Sequence, residues 1–328
     1  MKKRNIKFSI LVISFLFLLT TVTGCVNNVT HNQDDKITVV TTIFPPYDFV
    51  REISGDNVSV SMLLKPGMES HSYEPSPADI IAIENCDLFI YNGGESDAWV
   101  DTILETIQKD KIKVIKMVDC VDMLEEEHVD GMEGVHSHEH EHEYEHSCEG
   151  EPIGYDEHIW TSPLNAIKIS ERISSTLIGI DPANKDVYEK NLERYKEELT
   201  SLHKKILNIV EEAQRNIFVF GDRFPFRYFA QCYNLEYRAA FPGCSAQTEP
   251  SAKTVAYLID RIREDEIPNI FYIEFSNMKI AKAIQEETGA EPLMFHSCHN
   301  LSKDERDEGL SYLDIMNRNA ENLREALR

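Results

Sequence analysis

The chain of 328 residues lacks an excess of positive charge. It has 33 Lys and Arg residues against 57 Asp and Glu residues, a formal net charge of −24. A surface of that sign disfavours nucleic acid, whose phosphate backbone is bound by basic residues. It is compatible with cationic ligands, although acidity also simply keeps proteins in solution. Apolar residues make up 42% of the chain, a fraction that excludes a fully disordered or fibrous protein.

Several chemical motifs are also absent. The sequence has no Gly-x-Ser-x-Gly and no glycine-rich phosphate-binding loop, which argues against the commonest hydrolase and nucleotide-binding classes. It has no Cys-x-x-Cys pair, so a zinc ribbon is unsupported. A zinc hydrolase would need an open metal position and a positioned base. Glu74 and Glu249 are the candidates for such a base, and this class is a weaker alternative.

One long apolar run stands at the start of the chain. Residues 1–7 are basic and residues 8–22 are almost wholly apolar, which is typical of a secretory signal. As a helix the run covers about 22 Å, short of the ~30 Å hydrocarbon core, so a spanning helix is the weaker alternative. Val-Thr-Gly-Cys25 resembles a bacterial lipobox, which predicts removal of residues 1–24 and lipidation of Cys25. An ordinary signal peptide with a coincidental cysteine is the alternative. Residues 25–36 are then a polar tether.

Short apolar segments alternate with helical patterns along most of the chain. We predict strands at residues 37–43, 58–64, 87–91, 112–118, 217–220, 269–274 and 292–295. Strands separated by helices are typical of parallel α/β sheets. Both halves show this pattern, so we expect two α/β lobes with parallel sheets, at residues 37–180 and 215–328.

A long linker helix is predicted between the lobes, at residues 181–214. Asp181 and Pro182 suit its start, because Asp caps helices and Pro fits the first helical position. Apolar residues recur at steps of four and three at Tyr188, Leu192, Tyr195, Leu199, Leu202, Ile206 and Ile209. We interpret this stripe as a stiff, packed connection in a monomer, which restricts lobe closure; a coiled-coil dimer is the alternative.

Residues 125–150 interrupt the α/β pattern with histidine and glutamate. Half of the 12 histidines lie here: His128, His136, His138, His140, His142 and His146. Such a polar segment buries little apolar surface, so we predict a loop. Because imidazole is a common metal ligand, we interpret it as an auxiliary zinc-binding loop, with a merely solvated loop as the alternative.

Two other histidines occupy similar positions. His71 and His158 each lie four or five residues before a Ser-Pro pair that opens a predicted helix. Open α/β sheets bind ligands in the loops at the carboxyl ends of their strands, and His71 follows a predicted strand. From the second lobe we expect His296, directly after a strand, as the third ligand. Three histidines bind zinc with water or a carboxylate in the fourth place. The further candidates in that lobe are Asp222, Glu249 and His299.

Six cysteines follow Cys25, and an exported protein can keep disulfides. Their even number allows many pairings, among which the sequence does not choose. In the predicted layout Cys244 and Cys298 lie in loops at the ligand-facing edge of the second lobe. We expect a disulfide between them, with thiolate ligation of zinc as the alternative.

Three segments of the first half carry a family resemblance. Residues 67–79 read Gly-Met-Glu-Ser-His-Ser-Tyr-Glu-Pro-Ser-Pro-Ala-Asp, residues 87–93 read Asp-Leu-Phe-Ile-Tyr-Asn-Gly, and residues 158–166 read His-Ile-Trp-Thr-Ser-Pro-Leu-Asn-Ala. They resemble the high-affinity zinc/manganese substrate-binding proteins of bacterial ABC importers. The His-rich acidic insert is similar to that of the zinc-uptake members. The resemblance implies two lobes joined by a long rigid helix, a metal site between them, and metal ligands at His71 and His158.

The second half resembles that family less closely. The family has a His or Glu ligand in a segment ending Tyr-Phe, and alignment on Tyr228-Phe229 puts Arg223 at that position. Arginine stays protonated and does not ligate metals. The family's fourth ligand, an Asp, falls near His296. The resemblance therefore implies either an exchanged ligand or three protein ligands plus water, with Arg223 holding a carboxylate or an anion.

The residues and the resemblance together predict a binding protein and not an enzyme. We expect a lipid-anchored receptor on the outer face of the cell membrane, or on the periplasmic side, that captures Zn²⁺ and delivers it to an ABC permease. Histidine ligands favour Zn²⁺ over Mn²⁺, which prefers oxygen, but a manganese receptor of the same kind is an alternative. A surface adhesion protein is a weaker alternative. No nucleic-acid partner is expected.

Overall fold

The computed structural model describes residues 36–107, 111–132, 154–245 and 249–328. Residues Ile37–Arg328 form one compact unit, whose strands make two four-stranded sheets. All pairings between these strands are parallel. The fold prediction of two parallel α/β lobes is therefore confirmed. The predicted signal peptide, Cys25, nearly all of the tether and most of the His-rich loop lie outside the described residues.

The first sheet has the strand order β2-β1-β3-β4. Its strands are β1 (Ile37–Thr41), β2 (Val58–Met62), β3 (Leu88–Tyr91) and β4 (Lys113–Lys116). The helices of this part of the chain are α1 (Phe44–Ser54), α2 (Pro77–Glu84), α3 (Ala98–Thr106) and α4 (Pro163–Ile180). Helix α2 begins where the sequence predicted, because Ser76 caps it and Asp79 completes a reciprocal capping box.

The second sheet has the strand order β6-β5-β7-β8. Its strands are β5 (Ile217–Phe224), β6 (Glu236–Pro242), β7 (Asn269–Tyr272) and β8 (Glu291–Met294). The helices that follow them are α6 (Arg227–Tyr233), α7 (Ala252–Glu264), α8 (Lys279–Thr288), α9 (Lys303–Glu308) and α10 (Tyr312–Ala326). Strand β6 was not predicted, since Ala and a terminal Pro are weak strand formers.

The long helix α5 (Lys185–Glu211) confirms the predicted apolar stripe. All the stripe residues are buried except Leu192, which is half-buried against the same core. The helix starts later than expected, after a 3₁₀ turn at Pro182–Asn184, and the Asp181 carboxylate accepts from the Tyr188 hydroxyl at 2.8 Å. Helix α5 packs against α1, α4 and α10. It is therefore part of the common core rather than a free hinge.

The loop after β2 and the loop after β8 are joined by hydrogen bonds. The Asn300 side chain donates to the carbonyl oxygens of Lys65 at 2.7 Å and Met68 at 2.9 Å. The Gly67 N–H donates to the Leu301 carbonyl at 2.8 Å. We call these two segments the joined loops, residues 65–71 and 296–301.

Among the described residues, no helix has the length and apolar character needed to cross a bilayer.

Candidate metal site

Three histidines meet at the carboxyl edges of the two sheets. His71, His158 and His299 each offer a ligand atom, and these atoms lie within 4.8 Å of one another. The ring centroids are 5.9 Å apart for His71 and His158, 5.5 Å for His71 and His299, and 5.7 Å for His158 and His299. Three imidazoles around one point suit a tetrahedral metal ion with one open position. We call this group the three-histidine site.

His71 lies on a 3₁₀ turn, Ser70–Ser72, between β2 and α2. The Ser96 hydroxyl lies 2.8 Å from His71 Nδ1, which leaves Nε2 for a ligand. Burial, with the nearby His158 and Arg223, lowers the pKa of His71 to about 3. The ring is therefore neutral near pH 7, as a metal ligand must be.

His158 is buried and is oriented by a carboxylate. The Asp156 Oδ1 atom accepts the His158 backbone N–H at 2.8 Å and lies 3.1 Å from Nδ1. Burial alone lowers the pKa of His158, but the Asp156 carboxylate outweighs it, so the pKa ends above its usual value. A carboxylate behind a ligating histidine fixes the ring and raises its basicity.

His299 comes from the loop after β8. The Ser70 hydroxyl lies 2.6 Å from His299 Nε2, and the Trp160 ring packs at a centroid distance of 5.0 Å. Burial, with the neighbouring His71 and His158, lowers the pKa of His299 well below its usual value. Two of the three rings are thus held neutral by burial and by their mutual proximity.

His296, the expected third ligand, lies apart from the three-histidine site. Its Nδ1 accepts the Cys298 N–H at 2.9 Å, and its Nε2 lies 3.5 Å from a carboxylate oxygen of Glu305. Its own backbone N–H donates to Asn319 at 2.8 Å. The ring is held in a buried network behind the site. His299, one of the further candidates, takes the third place because Cys298 adopts φ 61° and turns the chain.

The other predicted site residues also lie outside this group. Asp222 lines a neighbouring cavity, and the exposed Glu249 carboxylate lies 3.8 Å from Lys279 Nζ. His128 is exposed. The remaining histidines of the predicted auxiliary loop lie outside the described residues: His136, His138, His140, His142 and His146.

The expected Cys244–Cys298 disulfide is absent, because the structure has both as free thiols. Cys298 is fully buried in the main core, whereas the Cys244 backbone N–H donates to Glu126 at 3.1 Å. Burial raises the pKa of both thiols. Neither thiol belongs to the three-histidine site, and within the part of the chain that the structure describes no thiolate joins that site.

Arg223 stands beside the three-histidine site, where β5 shifts its register against β6. Its Nη2 atom donates to Glu69 Oε2 at 3.0 Å, so it holds a carboxylate, one of the roles expected for it. The pair joins the two lobes directly. Its positive charge helps to lower the pKa of both His71 and His299.

Sequence reasoning missed the residues that orient the rings. Ser70 and Asp156 lie next to or near a predicted ligand in sequence, and that adjacency was the available signal. No sequence signal indicated the Ser96 contact with His71, because it depends on how the 3₁₀ turn Glu95–Asp97 packs against the loop after β2.

The chain is similar to known zinc-uptake proteins. The family model described as ZnuA, zinc-uptake complex component A, periplasmic, matches residues 39–326. The zinc-binding lipoprotein AdcA of Streptococcus pneumoniae is 32% identical over 321 residues, which are 97% of this chain and 60% of that protein. The chain therefore spans less than two thirds of that relative.

A second relative, and a solved structure of the matching AdcA domain, are covered almost completely. The high-affinity zinc uptake system protein ZnuA of Bacillus subtilis is 33% identical over 320 residues, 96% of each chain. The crystal structure of the Zn(II)-bound ZnuA-like domain of Streptococcus pneumoniae AdcA is similar with a TM-score of 0.71 at 30% identity. That similarity covers 89% of this chain and 99% of the other.

Proposed function

The chain belongs to the ZnuA family of zinc-uptake components, and from that membership we propose that it captures Zn²⁺ outside the cytoplasm and delivers it to an ABC permease. The observation that carries this proposal is the convergence of His71, His158 and His299 on one point. Zinc is the cargo here, so the site must bind it tightly and yet release it.

The ligand set supports zinc over manganese. Three imidazoles and no carboxylate make up the site among the described residues, and Mn²⁺ prefers oxygen ligands. Asp156 stands behind His158 as an orienting carboxylate. The site leaves one coordination position for water or another ligand, as in three-histidine zinc sites generally.

The remaining parts of the proposal concern the setting of the receptor. Cys25 is the lipid anchor, and the permease takes the metal from a monomer. The protein carries out no catalysis, and the His-rich loop gathers zinc near the membrane. These statements rest on the sequence motifs and on the family, and the lipid anchor, the loop and the delivery to the permease are tested below.

Metal content and competitive zinc affinity of the full chain in detergent test the central claim. We expect the wild-type chain to bind one zinc tightly. The zinc affinity should fall at least a hundredfold in each of the variants His71→Ala, His158→Ala and His299→Ala. His203→Ala is the matched control. His203 lies on helix α5, outside the site, and its ring contacts the Tyr233 hydroxyl of helix α6. If zinc affinity is unchanged in all three variants, the three histidines are not the zinc site of the receptor.

Two further measurements separate the parts of the proposal. A chain lacking residues 133–150 should keep the one tight zinc and lose only weaker binding. Zinc accumulation by cells that carry the permease but no receptor should recover when the wild-type chain is supplied, and should not recover with Cys25→Ala. Mass spectrometry of the mature protein then shows whether Cys25 carries lipid.

A further inference from the structure

A second cavity opens beside the pocket of the three-histidine site. The cavity has a volume of about 320 Å³, and its walls include His71, Arg223, Asp222, Phe275 and Ile280. His71 and Arg223 line both this cavity and the pocket at the three histidines, so the two spaces share a wall.

The walls of this side cavity combine a cation with apolar surface. Among the described residues, Glu69 is the only side chain that accepts from the Arg223 guanidinium, so Arg223 keeps donors for a ligand. Phe275 and Ile280 provide an apolar wall that suits a short carbon skeleton. Phe275 also adopts φ 61°, a backbone region that non-glycine residues rarely occupy and that clusters at binding sites.

The charges of the cavity depend on whether zinc is present. Glu69 is paired with Arg223, and Asp222 accepts the Arg223 backbone N–H at 2.9 Å. Without metal these two carboxylates outweigh the single guanidinium and repel an anion. Zinc among three neutral imidazoles brings two positive charges, which offset these two carboxylates and favour an anion beside Arg223.

We propose that the side cavity binds a small carboxylate ligand together with zinc, one carboxylate oxygen taking the open position on the metal and the other accepting from Arg223. The ligand class is a hydroxy acid or an amino acid, whose carboxylate accepts a charge-assisted hydrogen bond from the guanidinium. This inference rests on the proposed function. It makes the cargo a zinc–carboxylate complex rather than a bare or hydrated ion.

Glu69 offers a competing arrangement. It lies on the loop before His71 and could leave Arg223 to complete the zinc coordination itself, which would close the fourth position to any outside ligand. The two arrangements differ in what Glu69→Gln does. In our proposal that variant keeps zinc-dependent carboxylate binding, whereas a Glu69 ligand would make the variant lose zinc affinity.

The test is equilibrium dialysis of the full chain in detergent with radioactive zinc and with ¹⁴C-labelled citrate or L-histidine as probes. We expect about one probe molecule per zinc-loaded chain, for at least one of the two probes, and at least tenfold less without zinc. Arg223→Met should lower probe retention at least tenfold. Ile280→Glu adds a negative charge to the apolar wall without touching the guanidinium, and should do the same. Arg227→Met, whose arginine pairs with Glu127, is the matched control with unchanged retention.

The outcomes distinguish this inference from the proposed function. If the chain retains zinc but binds neither probe, the inference is wrong and the proposed function as a zinc receptor is unaffected. No zinc retained removes the proposed function and the inference with it. Probe retention that is equal in wild type, Arg223→Met and Ile280→Glu also overturns it, because the probe is then held elsewhere. Loss of zinc affinity in Glu69→Gln without any probe retention assigns the fourth position to Glu69.

Discussion

Ser70 of the first lobe contacts His299 of the second through a distance of 2.6 Å between Oγ and Nε2. Ser70 directly precedes His71, so one short turn supplies a ligand from the first lobe and orients a ligand from the second. The joined loops hold this turn against the loop after β8 through Asn300. The two ligands are therefore positioned as a pair by a single local structure.

Ser70→Ala should lower zinc affinity by about tenfold, the lower end of the effect of losing a group that orients a metal ligand. The His299 ring keeps its place but loses the contact that fixes its rotation. Competitive zinc titration measures this. Ser72→Ala, in the same turn, is the control, since the Ser72 hydroxyl donates to the Glu69 carbonyl at 3.4 Å and not to a metal-site histidine. An equal loss in both variants would contradict the role given to Ser70.

Asp156→Asn should lower zinc affinity by roughly 10- to 100-fold. The amide still accepts the His158 N–H, but the negative charge that raises the basicity of the ring is gone. The titration is made at pH 8, where protons compete little with the metal. Asp122→Asn changes an exposed carboxylate in the preceding loop and should have no effect. Full affinity in Asp156→Asn would show that the carboxylate does not support the ligand.

Tyr228→Phe should destabilise the metal-free protein by about 2 kcal/mol. The Tyr228 hydroxyl accepts the Leu124 N–H and donates to the Asp156 carbonyl, both at 3.0 Å. Losing it leaves the buried Asp156 carbonyl and the half-buried Leu124 N–H unpaired, and an unpaired buried group costs about 1–3 kcal/mol. Urea unfolding gives the change, with Tyr155→Phe as the control on a largely exposed side chain. A change below 0.5 kcal/mol, about the scatter of surface substitutions, would mean that water replaces the hydroxyl.

Asp48 should make the protein less stable as the pH rises. Burial raises the pKa of this carboxyl from 3.8 to about 7, although the Tyr312 N–H donates to it at 2.8 Å. Between these values the folded state binds the proton more tightly than the unfolded chain, so stability falls from about pH 4 to pH 7 and then levels off.

Asp48→Asn tests this, because the amide keeps the acceptor and cannot ionise. The difference in unfolding free energy between variant and wild type should shift in favour of the variant by a few kcal/mol between pH 4 and pH 8. Urea unfolding at several pH values measures it, and taking the difference cancels the other titrating groups. A difference independent of pH would mean that Asp48 ionises normally.

The sequence was sufficient for the parts that rest on local patterns. Helix α2 starts at Ser76-Pro77, where capping chemistry is local, and His71 and His158 could be found from their places before such starts. The stripe of helix α5 was equally visible, because its period of three and four residues reflects one buried face.

The third histidine depended on long-range contacts. His296 and His299 both follow β8, and the shorter distance to the strand favoured His296. Three features decide which of the two histidines faces the site: the Asn319 contact with His296, the left-handed turn at Cys298, and Asn300. The partners of Asn300 lie more than 200 residues away in sequence. Strand β6 was missed for a related reason, since Ala239 and Ala240 are strand residues only because the sheet buries them.

The joined loops make the metal site resemble a macrocyclic ligand of synthetic coordination chemistry. Because hydrogen bonds hold the His71 turn against the His299 loop, those two donors behave like part of a macrocycle and not like arms of an open chain. Macrocyclic donors bind with little loss of entropy, and they exchange their metal slowly unless the ring is opened. For this protein, opening the ring means breaking the Asn300 contacts and the Gly67–Leu301 hydrogen bond, so groups that never touch the metal govern how long zinc stays bound.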